Sequence, residues 1–134
     1  MTALFLLDTS ALLALRDDEP GADRVAELLQ SSAASGSPRC FACFMSRMEV
    51  LYRVWKDDGE QAGRLAHEQL LALPMGWVDA TDGLLEQAAA IKASHALSVA
   101  DAWIAAAALQ AGAVLVHKDP EFRALQVLPQ EWLG

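Results

Sequence analysis

Short apolar runs alternate with longer amphipathic segments along this chain. The runs have the length of buried strands, and they lie at residues 4–7, 40–44, 76–78 and 114–117. A shorter run at residues 127–128 is a candidate edge strand. In the intervening segments apolar side chains recur at helical spacing, as Val25, Leu28 and Leu29 do. The predicted helices cover residues 10–16, 22–34, 47–56, 60–73, 82–95 and 98–112, with one more turn at 121–125.

Polar residues mark the starts of several predicted helices. Ser46 is expected to cap the helix over residues 47–56, with Glu49 three residues later at the spacing of a capping box. Thr81 or Asp82 is expected to cap the helix that follows, and Ser98 the next one.

The alternation of strands and helices predicts the fold class. Strands joined through helices form parallel sheets with helices on both faces. We therefore predict an α/β fold, a three-layer sandwich around a mainly parallel sheet of about five strands, in a single domain over residues 1–134. In such sheets ligands bind at the carboxyl ends of the strands, so these ends are where candidate chemistry is expected.

The composition and net charge of the chain exclude some classes of function. The chain is 54 % hydrophobic, which excludes a disordered protein, and its 18 acids and 10 bases give a net charge of −8. Such an acidic chain is not expected to hold nucleic acid through bulk positive charge. Chemistry on phosphate would require a metal ion or a local basic patch.

The sequence carries no targeting signal that we recognise. The apolar start has no basic flank and ends at Asp8, unlike a secretory signal. The longest stretch with few charges, residues 102–117, is shorter than the ~20 residues of a membrane span. We expect a soluble, cytoplasmic protein that makes no membrane contact.

Cys40 and Cys43 form a CxxC pair, which could be half of a zinc site, a redox dithiol or two buried thiols. Because the pair lies in a predicted strand, its odd spacing directs the two side chains to opposite faces. The sequence has no second CxxC. We therefore expect two buried thiols.

Four acids stand apart from the runs of surface charge. Asp8 directly follows the first strand, and Asp119 lies two residues after the strand over 114–117. Asp8 could also be a helix N-cap and Asp119 a turn residue before a proline. Both fall at the strand ends where a ligand site is expected.

The other two acids lie in helices. Asp101 is the only charged residue between positions 96 and 116, and its helical neighbours are apolar. Glu49 is expected on an apolar helix face with Met45, Met48 and Tyr52. The helix dipole could account for Asp101 and a capping box for Glu49. A buried carboxylate without a partner costs several kcal/mol, so pairing or metal binding is the alternative.

Binding of a divalent cation would explain the positions of all four acids at once. Mg²⁺ and Mn²⁺ take oxygen ligands from a few carboxylates and from substrate phosphate. The three histidines show no mutual ligand spacing, and no glycine-rich phosphate loop follows Asp8.

Four segments together resemble the PIN-domain ribonucleases and, more narrowly, the VapC-type toxins of bacterial type II toxin–antitoxin systems. They are LDTSAL at residues 7–12, SRMEVL at 46–51, LSVADAWIAA at 97–106 and LVHKDPEF at 115–122. The resemblance implies that Asp8, Glu49 and Asp101 bind metal with Asp119 as the fourth acid, and that Thr9 or Ser10 holds carboxylates or water. The family often has threonine two residues before the fourth acid, where this chain has His117.

The resemblance also implies an activity. It suggests an endoribonuclease dependent on Mg²⁺ or Mn²⁺, with Asp8, Glu49, Asp101 and Asp119 as catalytic residues. A cognate antitoxin and a homodimer are the expected partners. RNA as the substrate comes from the resemblance alone, because the residues do not distinguish RNA from DNA. The candidate phosphate contacts are Arg16, Arg47, Arg53, Lys118 and Arg123.

Three other functions are compatible with an α/β fold that carries acids at its strand ends. A flavodoxin-like receiver domain would carry adjacent acids after its first strand, where this chain has Asp8 and Thr9. A phosphatase with a nucleophilic aspartate would usually have a second aspartate at the position of Ser10. A catalytically silent PIN-like binding module is a further alternative, and the intact set of acids argues against it.

Overall fold

Five short strands form one sheet in the computed structural model, which describes residues 3–134. They are β1 (Phe5–Leu7), β2 (Cys40–Cys43), β3 (Gly76–Val78), β4 (Val114–His117) and β5 (Gln130–Trp132). The order across the sheet is β3-β2-β1-β4-β5, and each neighbouring pair is parallel. The predicted α/β fold is confirmed. Its strand order differs from the 2-1-3-4-5 order of receiver domains, which excludes that alternative.

In the described part of the chain, six α-helices connect the strands. They are α1 (Thr9–Arg16), α2 (Ala22–Ala34), α3 (Phe44–Asp58), α4 (Glu60–Leu71), α5 (Asp82–Ser94) and α6 (Val99–Ala111). A 3₁₀ turn, Pro120–Ala124, precedes β5. Ser98 caps α6 through Asp101 N, and Gly112 ends it with a φ of 62°, so both predicted boundaries are confirmed. Within residues 3–134, none of the helices combines the length and apolar character needed to cross a membrane.

The sheet separates two hydrophobic cores. Leu6 on β1 packs with the core that α5 and α6 cover, and Leu7 packs with the core that α1 to α4 cover. Because successive strand residues point to opposite faces, one short strand serves both cores. Helix α6 is buried along most of its length, with four consecutive alanines from Ala105 to Ala108. Their small side chains let this helix lie close to the sheet, and its first turn carries Asp101.

Cys40 and Cys43 illustrate the same alternation. Both thiols are free and buried. Cys40 belongs to the core under α2, where its Sγ lies 3.3 Å from the carbonyl oxygen of Leu28, and Cys43 belongs to the opposite core. The prediction of two buried thiols is confirmed.

The predicted capping box at Ser46 is wrong. Helix α3 begins at Phe44, directly after β2, with Cys43 at the N-cap position and no side-chain cap. Ser46 and Glu49 therefore both lie inside the helix, one turn apart. The strand passes straight into the helix, and the hydroxyl of Ser46 bonds to Thr9 on α1 instead of a backbone amide.

The position of the edge strand also differs from the prediction. Strand β5 is Gln130–Trp132, and it pairs with Leu115–His117 of β4. Leu128 is buried in the core, whereas Val127 is 81 % exposed. Residues 127–128 thus belong to the loop that precedes the strand.

Candidate active site

The sheet order creates a switch point between β1 and β4. From β1 the chain proceeds through β2 to β3 on one side, and β4 and β5 lie on the other. Ligands of doubly wound sheets bind in the crevice where the strand order reverses. Asp8 follows β1 directly, and Asp119 lies two residues after β4. The amide of Asp8 also donates to Val116 over 3.1 Å, which holds this end of β1 against β4.

Asp8 is only 3 % exposed and caps α1. Its Oδ1 accepts hydrogen bonds from Ser10 Oγ (2.7 Å) and the amide of Ala11 (2.8 Å). Burial raises the pKa of Asp8 to about 7, with smaller contributions from the charges of Asp119 and Glu49. Within residues 3–134, Oδ2 receives no hydrogen bond, so the capping role leaves this oxygen available to a ligand.

Glu49 is buried against α1 and is held by a relay of hydroxyl groups. Thr9 Oγ1 donates to Glu49 Oε1 over 2.6 Å. Because that hydroxyl has only one hydrogen, Ser46 must donate in the 2.9 Å contact between Ser46 Oγ and Thr9 Oγ1. Arg53 Nη2 lies 3.4 Å from Glu49 Oε2. The relay orients one carboxylate oxygen of Glu49, and Arg53 partly balances its charge.

The apolar face predicted around Glu49 is wrong for Met48 and Tyr52, although Met45 packs against the core under α5 and α6. Met48 is 56 % exposed and Tyr52 is 46 % exposed, whereas Glu49 is 6 % exposed. The face of α3 that packs inward carries Ser46, Glu49 and Val50. Glu49 therefore faces the hydroxyl groups near the end of β1 instead of an apolar stripe.

Asp101, Asp119 and Glu121 form a carboxylate cluster at the start of α6. One oxygen from each lies within 4.8 Å of those of the other two. Burial, together with the smaller effect of the adjacent carboxyl groups of Asp119 and Glu121, raises the pKa of Asp101 to about 8. At neutral pH this cluster therefore retains a proton unless a cation balances its charge.

Glu121 was not among the predicted site residues. It follows Asp119 in the sequence Asp-Pro-Glu and lies in the 3₁₀ turn. Asp119 Oδ1 accepts the amide hydrogen of Glu121 over 2.9 Å, which folds the turn and brings the two carboxylates together. The sequence did carry a signal for Glu121. An aspartate before proline often caps a turn, and the turn brings the side chain two residues later to the same side as the aspartate.

Most of the candidate phosphate contacts are engaged elsewhere. Arg16 pairs with Asp17, Lys118 lies 3.8 Å from Glu19, and the guanidinium of Arg123 lies 5.5 Å from the ring centre of Trp132. Arg47 Nε donates to His67. Arg53 differs from these, because it contacts Glu49 and also lies within the electrostatic range of Asp101.

The donors at this edge of the sheet fit a hard divalent cation. All are carboxylate oxygens, the ligand type that Mg²⁺ and Mn²⁺ prefer. Burial is the main cause of the raised pKa values of Asp8 and Asp101, and the charges of neighbouring acidic groups add to it. Of the predicted acids, Asp101 and Asp119 thus lie together in a cluster of suitable chemistry that Glu121 completes. Asp8 and Glu49 lie outside that cluster, although the charges of Asp119 and Glu49 both act on Asp8.

Known structures share this architecture. The VapBC complex of Salmonella typhimurium, described as bound to DNA, superposes with a TM-score of 0.77 at 18 % identity, over 99 % of this chain and 100 % of that one. VapBC-1 of nontypeable Haemophilus influenzae gives 0.71 at 20 % identity, over 97 % and 98 % of the chains. VapC20 of Mycobacterium tuberculosis, described as a sarcin-ricin loop cleaving toxin, gives 0.71 at 20 % identity, over 91 % and 95 %.

Sequence comparison gives the family. No curated protein sequence matches the chain significantly. The PIN domain family, by contrast, matches residues 5–128. This span runs from β1 to the loop before β5 and contains the four predicted acids and Glu121. The chain belongs to the PIN domain family.

Proposed function

We propose that this protein is a metal-dependent endoribonuclease that serves as the toxin of a bacterial toxin–antitoxin pair. The observation that carries the proposal is the carboxylate cluster of Asp101, Asp119 and Glu121 beyond the end of β4. Asp8, at the end of β1, is close enough for the charges of Asp119 and Glu49 to raise its pKa. Two of these carboxyl groups have pKa values near neutrality, raised mainly by burial. Buried carboxylates without a positive partner destabilise a fold, and a bound cation would offset this cost.

The four acids would hold Mg²⁺ or Mn²⁺, and Glu121 lies close enough to join them. Such an ion, when bound, stabilises negative charge on phosphate oxygens and lowers the pKa of a coordinated water. The chain itself contributes the orientation of its carboxylates: Thr9 and Ser46 fix Glu49, and Ser10 fixes Asp8. Arg53 is the guanidinium best placed to contact a phosphate group at this edge.

The structural neighbours support the substrate and the partner. One of them is described as cleaving the sarcin-ricin loop, an RNA, and others are described as members of toxin–antitoxin systems. We therefore propose RNA as the substrate, the cytoplasm as the place of action and an antitoxin protein as the partner. An apolar groove between α1, α3 and α4 is suited to an antitoxin segment, and its lining includes Leu12, Leu13, Leu15, Leu70 and Leu73.

A homodimer is also part of the proposal. Leu85 on α5 and Val99 on α6 are 52 % and 60 % exposed, and both line an apolar depression with Trp103. Trp103 contacts Phe44 on α3 edge to face, with ring centres 5.0 Å apart. Exposed apolar surface of this kind is suited to a second copy of the chain. Sedimentation of the purified toxin and of Val99→Glu tests this part, since the charge should shift a dimer to monomers.

The test of the site is cleavage of RNA by purified protein with Mg²⁺, Mn²⁺ or a chelator. Asp8→Asn and Asp101→Asn should each reduce cleavage by about 100-fold or more while the circular dichroism spectrum is retained. Asp23→Asn, on an exposed position of α2, is the matched control and should cleave like the wild type. Undiminished cleavage by both site variants would disprove the site. Equal cleavage of DNA with the same sequence would disprove the preference for RNA.

Metal binding can be measured without a substrate. Mn²⁺ should raise the melting temperature of the wild-type protein, because a ligand that binds only the folded state stabilises it by about 2.7 kcal/mol at 100 times its Kd. The rise should be much smaller for Asp101→Asn. A wild-type protein that cleaves RNA in the presence of chelator, with no thermal response to Mn²⁺ or Mg²⁺, would show that the reaction does not need a divalent ion.

A further inference from the structure

The loop over residues 118–125 carries two of the five carboxylates, and side chains from outside it hold its backbone at four points. Ser10 Oγ accepts from the amide of Lys118 over 2.9 Å, and His117 Nδ1 accepts from the amide of Asp119 over 3.1 Å. Gln130 Nε2 donates to the carbonyl oxygens of Phe122 (2.8 Å) and Leu125 (2.9 Å).

These contacts determine the tautomer of His117. A backbone amide can only donate, so Nδ1 of His117 must carry the lone pair, and the neutral ring then has its hydrogen on Nε2. That hydrogen is directed to Gln130 Oε1, 2.9 Å away. The amide group of Gln130 in turn uses both of its hydrogens on the two loop carbonyls. His117 and Gln130 thus form one relay with a fixed direction from β4 through β5 into the loop.

The ring of His117 is also fixed by packing. It is 2 % exposed, and the rings of Phe122 and Trp132 meet it edge to face at centre distances of 5.0 and 5.6 Å. The imidazole is therefore held in one orientation, with Nδ1 towards the amide of Asp119. In the sequence, this is the position at which the chain has histidine in place of the threonine that the family often has.

We propose that His117 is a positioning residue: its neutral imidazole, with the hydrogen on Nε2, fixes the backbone at Asp119 and thereby places the carboxylates of Asp119 and Glu121 for cation binding. This inference rests on the proposed function, because it assigns a role to those carboxylates in binding the ion. This role differs from packing in the core, because it requires an acceptor atom at the position of Nδ1, opposite the amide of Asp119.

Nuclear magnetic resonance tests the hydrogen bond directly. In protein with ¹⁵N-labelled histidine, the ring nitrogens of His117 should show the neutral form with hydrogen on Nε2 at neutral pH. A scalar coupling should connect Nδ1 with the amide nitrogen of Asp119. The signals are assigned with variants that lack each of the other histidines, His67→Gln and His95→Gln. A hydrogen on Nδ1 would overturn the proposal.

A pair of amide substitutions separates positioning from packing. In His117→Asn the side-chain oxygen can take the place of Nδ1 and accept from the amide of Asp119, whereas in His117→Gln the side-chain nitrogen can replace only Nε2. Both variants lose the ring and should lose similar thermal stability. Mn²⁺ affinity should stay near the wild-type value in His117→Asn and fall by about 10- to 100-fold in His117→Gln, which is the usual effect of losing a residue that orients a metal ligand.

The outcomes distinguish this inference from the proposed function. Equal Mn²⁺ affinity in the wild type and both folded variants would overturn the positioning role and leave the nuclease proposal intact. If the wild type binds Mn²⁺ but cuts no RNA, while the two variants differ as expected, the nuclease proposal fails and the positioning role stands. A wild-type protein that does not bind Mn²⁺ would overturn both.

Discussion

Thr9 and Glu49 lie 40 positions apart in the sequence and are joined by a hydrogen bond of 2.6 Å from Thr9 Oγ1 to Glu49 Oε1. Both residues are buried, and Ser46 completes the relay from the first turn of α3. The bond connects the helix that follows β1 with the helix that follows β2. A single hydroxyl thus orients a candidate metal ligand and links two elements of the core.

Replacing Thr9 with valine tests this link. Valine retains the shape of threonine but leaves Glu49 Oε1 and Ser46 Oγ without their buried partner. The loss of one partner of a buried hydrogen bond costs about 1–3 kcal/mol. We expect Thr9→Val to lower the free energy of unfolding by that amount in urea titrations and to weaken Mn²⁺ binding. Thr9→Ser, which keeps the hydroxyl, should recover most of the metal affinity, and equal affinities in the two variants would contradict the role of the hydroxyl.

The raised pKa values of Asp8 and Asp101 predict an unusual pH dependence for the metal-free protein. Burial raises these values from 3.8 to about 7 and about 8, so the folded state holds protons that the unfolded chain has released. Stability from these groups is complete below the unfolded pKa and is lost as the pH rises through the folded values. With a chelator present, the contribution of these two groups to the free energy of unfolding should therefore fall between about pH 4 and about pH 8.

Asp8→Asn and added metal check the assignment of this pH effect. Asparagine does not titrate, so the decrease should be smaller in Asp8→Asn, most clearly below about pH 7. Saturating Mn²⁺ should reverse the trend, because metal binding displaces the protons and strengthens as the carboxylates ionise. Urea titrations of both proteins across this range give the comparison. A wild-type stability that rises with pH in the presence of chelator would contradict the raised pKa values.

Elements with a strong local signal could be predicted from the sequence. The bounds of β3, β4 and α2 match the prediction, because apolar runs and helical periodicity are set by neighbouring residues. Asp8 and Asp119 could be placed near each other for a related reason, since the carboxyl ends of parallel strands meet at one edge. Local patterns were therefore sufficient to predict these elements and the edge of the sheet at which the two acids lie.

Features that depend on distant contacts could not be predicted. Ser46 has the sequence of a helix cap, but its hydroxyl partner is Thr9 on another helix, and the helix begins earlier. Strand β5 pairs through its backbone at the edge of the sheet and begins with the polar residues Gln130 and Glu131, so it lacks an apolar signature. Glu121 joins the site only because Asp119 caps a 3₁₀ turn. In each case a tertiary or turn contact decided the outcome.

The two cysteines give a test of the core. Burial raises the pKa of Cys43 to about 11 and also raises that of Cys40, so both thiols resist ionisation at neutral pH. A thiol-specific reagent should react with neither residue in the native protein and with both in denaturant. The reaction rate should follow the unfolding equilibrium as urea is added. Rapid modification of either cysteine without denaturant would contradict the burial, and a disulfide between them would require the two cores to open.

The contact between α3 and α4 depends on a glycine. A Cβ at Gly63 would lie 2.8 Å from the carbonyl oxygen of Leu51 and 2.9 Å from Trp55 Cβ, so Gly63→Ala must push the two helices apart. We expect a loss of about 1–3 kcal/mol in the free energy of unfolding, measured with urea. Gly83→Ala on α5 is the matched control, because its Cβ would meet nothing within 4 Å and should stabilise the helix by up to about 1 kcal/mol. Both substitutions restrict the unfolded chain alike. Their difference therefore measures the contact itself, and equal effects would show that α3 and α4 can separate at little cost.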